Sequence, residues 1–561
     1  MRQKLELTWA GKDEPLKVEP RILLYDAEKS HGAQDTGNLL IHGDNLLALK
    51  ALEKKYAGQV KCIYIDPPYN TGSAFEHYDD NMEHSTWLNL MYARIRSLYS
   101  LLADDGFFCC EIDDSEGQYL KIVLDEIFGR NNYKTTLYVR VRYAEKTLKE
   151  DMKFNKEIEQ IHIYQKTSTA IPNQETENVG YEKFVYQIEE TSPPQQKIVL
   201  GGKEVHIFQH GQYTIKEEAP SAEGLKEIWA SGTILDGNSS GRFFRDYLTG
   251  RYEEDGYGVL YKVYGIGDDS LDYRYFTGPK RKGATKGKYY QGVPKAKLNQ
   301  KELVKAKPIS NFYDFAANFG NCRQEGTVSF RAGKKPEALL NMLLDFFSNP
   351  GDLVLDSFLG SGTTAAVAQK MGRRWIGIEM GDHAYTHCKT RLDKVIDGED
   401  AGGVTKATGW QGGGGYRFYE LAPTLILRDA FGEAVISDQY NAEQLAAAVA
   451  LHEGYTYQPD DEVFWKQAVG TEKSYLFTTT RPITAAYLDA IAAEMQPGEF
   501  LKIAATSFPP ELAKAHKRIA LRQIPEMLLA KCAFGVENYN LPIVDPPTME
   551  DGEEDETDEI G

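Results

Sequence analysis

Cysteine is scarce in this chain of 561 residues. Its six cysteines, Cys62, Cys109, Cys110, Cys322, Cys388 and Cys532, lack paired spacing. That argues against a disulfide framework or a thiolate metal site and suits reduced, mostly buried thiols. Long apolar runs are missing too, and nothing approaches the roughly 18–20 apolar residues of a membrane span. The opening MRQKLELTWAGKDEP is charged and has no apolar core of the signal-peptide kind, so the expected location is the cytoplasm, with no membrane partner. There is no G-x-x-x-x-G-K-[ST], which argues against a nucleoside triphosphatase.

The length, with 42% hydrophobic residues, predicts a soluble protein of about three domains. A net charge of −19 seems to argue against a polyanionic partner, but its distribution matters more than the sum. Residues 550–559 hold eight acids in ten positions and predict a solvated, disordered tail. From Arg274 to Lys307 eleven Lys or Arg face the single acid Glu302, with Tyr275, Phe276, Tyr289 and Tyr290 interleaved. Such a stretch is either a nucleic-acid footprint or a flexible linker.

From Leu39 to Thr167, short apolar runs (LLIHG, VKCIYID, GFFCCEID, IEQIHIYQK) alternate with helical patterns such as HSTWLNLMYARIRSLYSLLADDG, whose stop is Gly106. Strands alternating with helices predict a parallel sheet covered on both faces. Residues 170–310 are polar and Gly-rich, without sustained helical period, and read as an irregular insertion. The α/β rhythm returns at Pro336 with EALLNMLLDFFS, LVLD, TTAAVAQKMG and RWIGIE. Beyond QGGGGYRFYEL, the runs SYLFTTTR, ITAAYLDAIAAEM and FLKIAATSF predict a small βαβ unit.

Two stretches carry chemistry. In CIYIDPPYNTG (62–72) a strand ends on Asp66-Pro67-Pro68-Tyr69. In LVLDSFLGSGTTAAVAQK (353–370) a strand leads through Gly360 and Gly362 into a helix, where backbone can approach a ligand closely. Glu379 ends the following strand, 23 residues after Asp356, about the spacing at which an acid grips ribose hydroxyls. The loop departs from G-x-G-x-x-G, and by itself it leaves a dinucleotide and S-adenosylmethionine both open.

Together, Asp-Pro-Pro-Tyr and D-x-F-x-G-S-G-T-T resemble the β class of DNA amino-methyltransferases, in which the catalytic motif precedes the cofactor loop. NLLIHGDNLLALKAL (38–52), CIYIDPPYNTGSAFEHYDDNMEHSTWL (62–88), EIDDSEGQYLKIVLDEIFGRNNY (111–133) and QGGGGYRFYEL (411–421) resemble the modification subunit of type III restriction–modification systems. The resemblance implies an α/β chain with a permuted Rossmann-like S-adenosylmethionine-dependent methyltransferase fold. Its sheet is mixed, mostly parallel and seven-stranded, with an inserted target-recognition domain and a small C-terminal α/β domain. The implied organisation is an N-terminal extension (1–35), a catalytic half (36–169), the target-recognition domain (170–310), a cofactor-binding half (311–400), a Gly-rich linker (401–421), a domain for dimer or partner docking (422–545) and the acidic tail (546–561).

The resemblance further implies transfer of a methyl group from S-adenosyl-L-methionine to adenine N6 in double-stranded DNA, with no metal. Adenine is preferred to cytosine N4 because the motif opens with Asp. Asp66, Pro67, Pro68 and Tyr69 are the implied catalytic residues. Asp356, Phe358, Gly360 and Gly362 would line the cofactor's methionine side, Glu379 its ribose, and Lys335 would close over its methionine moiety. Asp44 would read its adenine or cap the helix after it, and Thr363 is equally open between a cap and a ligand. Arg274, Lys280, Arg281, Lys282, Lys286 and Lys288 would contact DNA. Implied partners are a second copy and a restriction (Res-type) nuclease/helicase. A scaffolding subunit without activity and an RNA or protein-glutamine methyltransferase are the competing readings. The run FNKEIEQIHIYQK (154–166) has Asn155 and Lys156 where the family often has a His, so its contact to the base stays open.

Overall fold

Strand Val60–Ile65 lies inside a ten-stranded sheet in a computed structural model of the protein. The structure describes residues 6–13, 18–70, 84–143, 155–178, 181–230, 239–269, 271–284, 286–295, 304–330, 333–532 and 534–535. The acidic tail expected over 546–561 lies outside them. The strand order is Leu23–Gly32, Gly415–Leu421, Leu39–His42, Arg374–Glu379, Leu353–Asp356, Val60–Ile65, Leu102–Ile112, Ile158–Gln165, Tyr133–Arg140 and Phe312–Asp314. The pairings from Gly415–Leu421 through Leu102–Ile112 are parallel, and Ile158–Gln165 runs against both its neighbours. The sheet is thus mixed and mostly parallel.

The central strands are near-continuous apolar runs because helices cover both faces. Helix His84–Leu101 buries Trp87, Leu88, Met91, Ile95 and Leu98 at helical spacing, each contributing about 1.5–3 kcal/mol of hydrophobic stabilisation. It stops five residues before the expected Gly106, because Leu102 already pairs with Val60, and a register shift absorbs the residues up to Phe107.

The expected seven strands are ten. Leu23–Gly32, from the expected N-terminal extension, pairs antiparallel with Gly415–Leu421, from the expected linker. The four glycines hid a strand in which Tyr416 and Phe418 are buried while Arg417 between them is exposed. Phe312–Asp314 adds the opposite edge.

Chain contacts divide the molecule into residues 1–173 with 310–561, and residues 174–309. The second unit, expected to be irregular, holds a six-stranded antiparallel sheet ordered Lys226–Ala230, Gly287–Gln291, Tyr273–Thr277, Leu260–Tyr264, Lys203–Phe208 and Gln196–Leu200. Its core includes Val205, Ile207, Phe243, Phe244, Tyr261, Phe276 and Tyr289. Near the C-terminus, Ser474–Thr479 and Phe500–Ala505 pair in parallel across helix Ala485–Glu494, within a five-stranded sheet. Among the described residues no helix is long and apolar enough to cross a membrane.

Candidate active site

Strands Val60–Ile65 and Leu353–Asp356 are parallel neighbours, with Cys62 opposite Val354 and Ile63 opposite Leu355. Their C-terminal ends therefore open at one sheet edge, where ligands of doubly wound sheets bind. Asp66-Pro67-Pro68-Tyr69 leaves one end and the glycine loop the other, although some 290 residues separate the two in sequence.

Buried groups hold the first motif in place. Trp87, fully buried, donates its indole N–H to the Pro68 carbonyl at 2.8 Å. Asn70, at φ +58°, turns the chain and donates to Glu116, which also contacts His84 at 2.9 Å. The Tyr69 hydroxyl donates to Glu159 Oε2 at 2.9 Å.

Three carboxylates meet one ammonium beside this motif. Lys335 Nζ lies 3.2 Å from Asp66 Oδ1, 3.2 Å from Glu111 Oε1, 2.8 Å from Glu159 Oε2 and 2.6 Å from the Tyr69 hydroxyl oxygen. Glu111, next to last in the apolar strand Leu102–Ile112, is fully buried and accepts the Tyr64 hydroxyl. Burial pushes Asp66 up to about 6; the Lys335 charge opposes that push and Glu159 adds to it. Burial also raises Glu111 well above the usual carboxylate range, so its neutral form is favoured. Glu159 goes the other way: burial would raise it, but the Lys335 charge and its hydrogen bonds outweigh burial. Burial would lower Lys335, yet the three acids hold it well above an ordinary lysine.

Across the edge, Asp356 Oδ1 accepts the Phe358 N–H and Oδ2 the Thr364 hydroxyl, so the acid staples the loop that follows it. Gly360 and Gly362 take φ of +57° and +81°, the left-handed conformation that glycine adopts freely. Glu379 Oε2 accepts the Gly360 N–H at 2.6 Å, and its Oε1 faces the Met380 N–H and His383. Burial pushes Asp356 up to about 7, with repulsion from Asp66 and Glu379 adding to the rise. An edge carrying these acids suits a cationic ligand.

Several expectations change. Lys335, expected to close over the cofactor's methionine moiety, places its ammonium in the acid cluster. Asp44 caps helix Asn45–Tyr56 through the Leu47 N–H, and its other oxygen pairs with buried Arg94. Gly362, not Thr363, occupies the cap position of helix Thr363–Lys370, and the Thr363 hydroxyl accepts from Arg391. Glu111, which the sequence did not single out, faces the site, while the loop acids Asp113 and Asp114 that follow it bind Lys156. In the run 154–166, Glu159 is the residue that turns toward Tyr69.

The basic stretch divides. Arg274 is withdrawn from the proposed DNA face: it is buried, pairs with Asp269 at 2.5 Å and donates to Ser240, as a buried cation must. Lys288 bonds Glu227 and lies over the Trp229 ring. Phe276 and Tyr289 are core, while Tyr275 and Tyr290 bond Glu190 and Glu227. Lys280, Arg281, Lys282 and Lys286 remain exposed between strands Tyr273–Thr277 and Gly287–Gln291.

Sequence reasoning did not single out Glu111, Glu159 or Trp87. An acid closing the apolar run GFFCC was a readable signal for Glu111; nothing in the local pattern marked Glu159 or Trp87.

A family model described as DNA methylase, N6_N4_Mtase, matches residues 60–390. The Haemophilus influenzae protein named "Probable type III restriction-modification enzyme HindVI Mod subunit" is 35% identical over 416 residues, covering 69% of this chain and 54% of that protein. The Salmonella typhimurium type III restriction-modification enzyme StyLTI Mod subunit is 28% identical over 384 residues, covering 61% and 52%. The chain thus spans about half the length of these curated relatives. Among solved structures, the PvuII DNA methyltransferase (cytosine-N4-specific) aligns at a TM-score of 0.32 and 12% identity, covering 64% of this chain and 89% of that one.

Proposed function

The chain belongs to the DNA methylase family whose model matches its residues 60–390, and on that premise we propose that it is a site-specific DNA methyltransferase. Its reaction moves a methyl group from S-adenosylmethionine to adenine N6 in duplex DNA after the base leaves the helix. The observation that carries this reading is the parallel pairing of Val60–Ile65 with Leu353–Asp356, which opens both motifs at one edge.

The adenine amine is a poor nucleophile because its lone pair is delocalised into the ring. Asp66 and the Pro67 carbonyl accept its two N–H groups and draw the nitrogen toward tetrahedral geometry. Asp66 accepts most strongly as the carboxylate, the form that its value of about 6 favours at neutral pH. The prolines fix the carbonyl's direction, since each locks φ near −65°. Tyr69 stacks on the extruded base, offsetting an unstacking cost of a few kcal/mol. S-adenosylmethionine, when bound, would supply a sulfonium methyl group and depart as the neutral thioether, and Asp66, already accepting one amine N–H, is placed to take the proton the nitrogen sheds. Orientation and electrostatics supply the rest of the catalysis, and no metal is required. Asp356, Phe358 and the backbone of Gly360 and Gly362 hold the methionine side, and Glu379 holds the ribose. The acids Asp66, Asp356 and Glu379 at that edge fit the ligand's positive charge.

The type III Mod names of the relatives support a modification and specificity role with a Res-type nuclease partner. Residues 174–309 then serve target recognition through Lys280, Arg281, Lys282 and Lys286, and residues 422–545 serve self-association or partner docking, in the cytoplasm. Incubating the full chain with duplex DNA and methyl-labelled S-adenosylmethionine, followed by nucleoside analysis, tests the reading. Label in N6-methyladenine supports it. Label in N4-methylcytosine, or on RNA or protein alone, overturns the substrate.

A further inference from the structure

Lys335 sits between two buried anchors. One residue before it, Lys334 Nζ donates to the carbonyls of Arg323, Glu325 and Val328 at 3.0, 2.5 and 2.7 Å. Two residues after it, Glu337 is fully buried, binds Lys370 and Arg391, and accepts the Val404 N–H. Lys370 also pairs with Asp400, and Arg391 reaches the Ser361 carbonyl and the Thr363 hydroxyl in the glycine loop. A segment tied down on both sides is a poor lid. The fold fixes where the Lys335 stem begins, and its ammonium ends among Asp66, Glu159 and the Tyr69 hydroxyl.

We propose that Lys335 is a positioning residue of the base pocket: its ammonium holds Asp66, Glu159 and the Tyr69 hydroxyl in one frame, and other groups take the cofactor's carboxylate. This rests on the methyltransferase reading above. Three carboxylates in one buried pocket repel, and opposite charge nearby is what keeps such a group ionised. A protonated Asp66 would present an O–H donor to an amine that needs an acceptor. Among the described residues, the titratable groups facing Asp66 are Tyr64 from the strand before it, Tyr69 beyond it, Cys110 and Glu111 from Leu102–Ile112, Glu159 from Ile158–Gln165, Asp356 across the edge and Lys335 itself. Lys335 is the cation among them, and the Tyr69 ring centroid is 4.9 Å from its Nζ. Drawing it away to a methionine carboxylate would leave Asp66 and Glu159 facing each other uncompensated.

The test uses full-length wild type, Lys335→Met, Lys335→Arg, Glu159→Gln and the Lys335→Met/Glu159→Gln double variant. S-adenosylmethionine affinity is measured by calorimetry and single-turnover methyl transfer to DNA as a function of pH. For Lys335→Met, affinity should stay within about twofold while the acidic limb of the rate profile moves up by about one pH unit or more. Lys335→Arg should restore part of the rate. Glu159→Gln alone should move the limb down, because the repulsion it exerts on Asp66 is gone, and the double variant should recover part of the Lys335→Met displacement. Should Lys335→Met fail to fold, Glu159→Gln decides: an unmoved limb overturns the proposal. Cofactor affinity weakened tenfold or more in Lys335→Met with an unmoved limb overturns it too, making Lys335 a cofactor ligand. A wild type inert on DNA would overturn the methyltransferase reading and this proposal with it, whereas an active wild type with an unmoved limb in the variants overturns only the role of Lys335.

Discussion

The Trp87 indole N–H lies 2.8 Å from the Pro68 carbonyl oxygen, and the indole is fully buried. Helix His84–Leu101 is therefore more than cover for the sheet, because it sets the direction of the Asp-Pro-Pro-Tyr loop. Trp87→Phe keeps most of the volume and removes the donor from the partly buried Pro68 carbonyl, at a cost of about 1 kcal/mol. Denaturant unfolding should show that loss. Single-turnover methyl transfer should slow about tenfold or more, with cofactor affinity within about twofold, since geometric misplacement acts on the chemical step.

Asp356 gives cofactor binding a pH dependence of definite sign. Its folded value is about 7 against an ordinary 3.8, raised by burial. A cationic ligand favours the ionised form, so binding releases a proton below that pH. Affinity for S-adenosylmethionine should therefore weaken as pH falls below about 7, approaching tenfold per unit. Calorimetry at pH 6 in buffers of different ionisation enthalpy should detect that proton. Without ligand, the raised carboxyl contributes stability that is present below its unfolded value and lost as pH rises through about 7. Asp356→Asn should therefore gain stability relative to wild type over that window in thermal melts.

The quartet of Glu337, Lys370, Arg391 and Asp400 joins the segment after Lys335 to the glycine loop. Gly403 is required there, because a Cβ would lie 2.0 Å from Glu337 Oε2. Removing one member leaves an uncompensated buried charge, so Lys370→Met should cost about 3–5 kcal/mol in denaturant unfolding.

The basic stretch separates into two kinds of variant. Replacing Lys280, Arg281, Lys282 and Lys286 together by Ala should leave unfolding unchanged. It should reduce the slope of log affinity against log salt by about 3–4, near 0.9 for each phosphate no longer neutralised. Arg274→Met should instead destabilise residues 174–309, because Asp269 and Arg274 are both buried. Fluorescence anisotropy across a salt series, with thermal melts, separates the two.

The α/β rhythm was legible because parallel strands such as VKCIYI and LVLD are buried on both faces and read as unbroken apolar runs. The two motifs were legible because proline and glycine leave few backbone choices. Other features depended on distant partners. The strand Gly415–Leu421 was masked by the glycines that lead into it, and the basic stretch's aromatics resembled a nucleic-acid footprint until Tyr275 and Tyr290 proved to bond Glu190 and Glu227. Glu159 and Lys335 each look ordinary locally; only the fold of the sheet brings them to Asp66.

The most direct test of the central claim is modification-sensitive sequencing of DNA from cells expressing wild type or Asp66→Ala. N6-modified adenines should appear in a short sequence motif with the wild type, and none at those sites with the variant. Identical modification patterns in the two would contradict it.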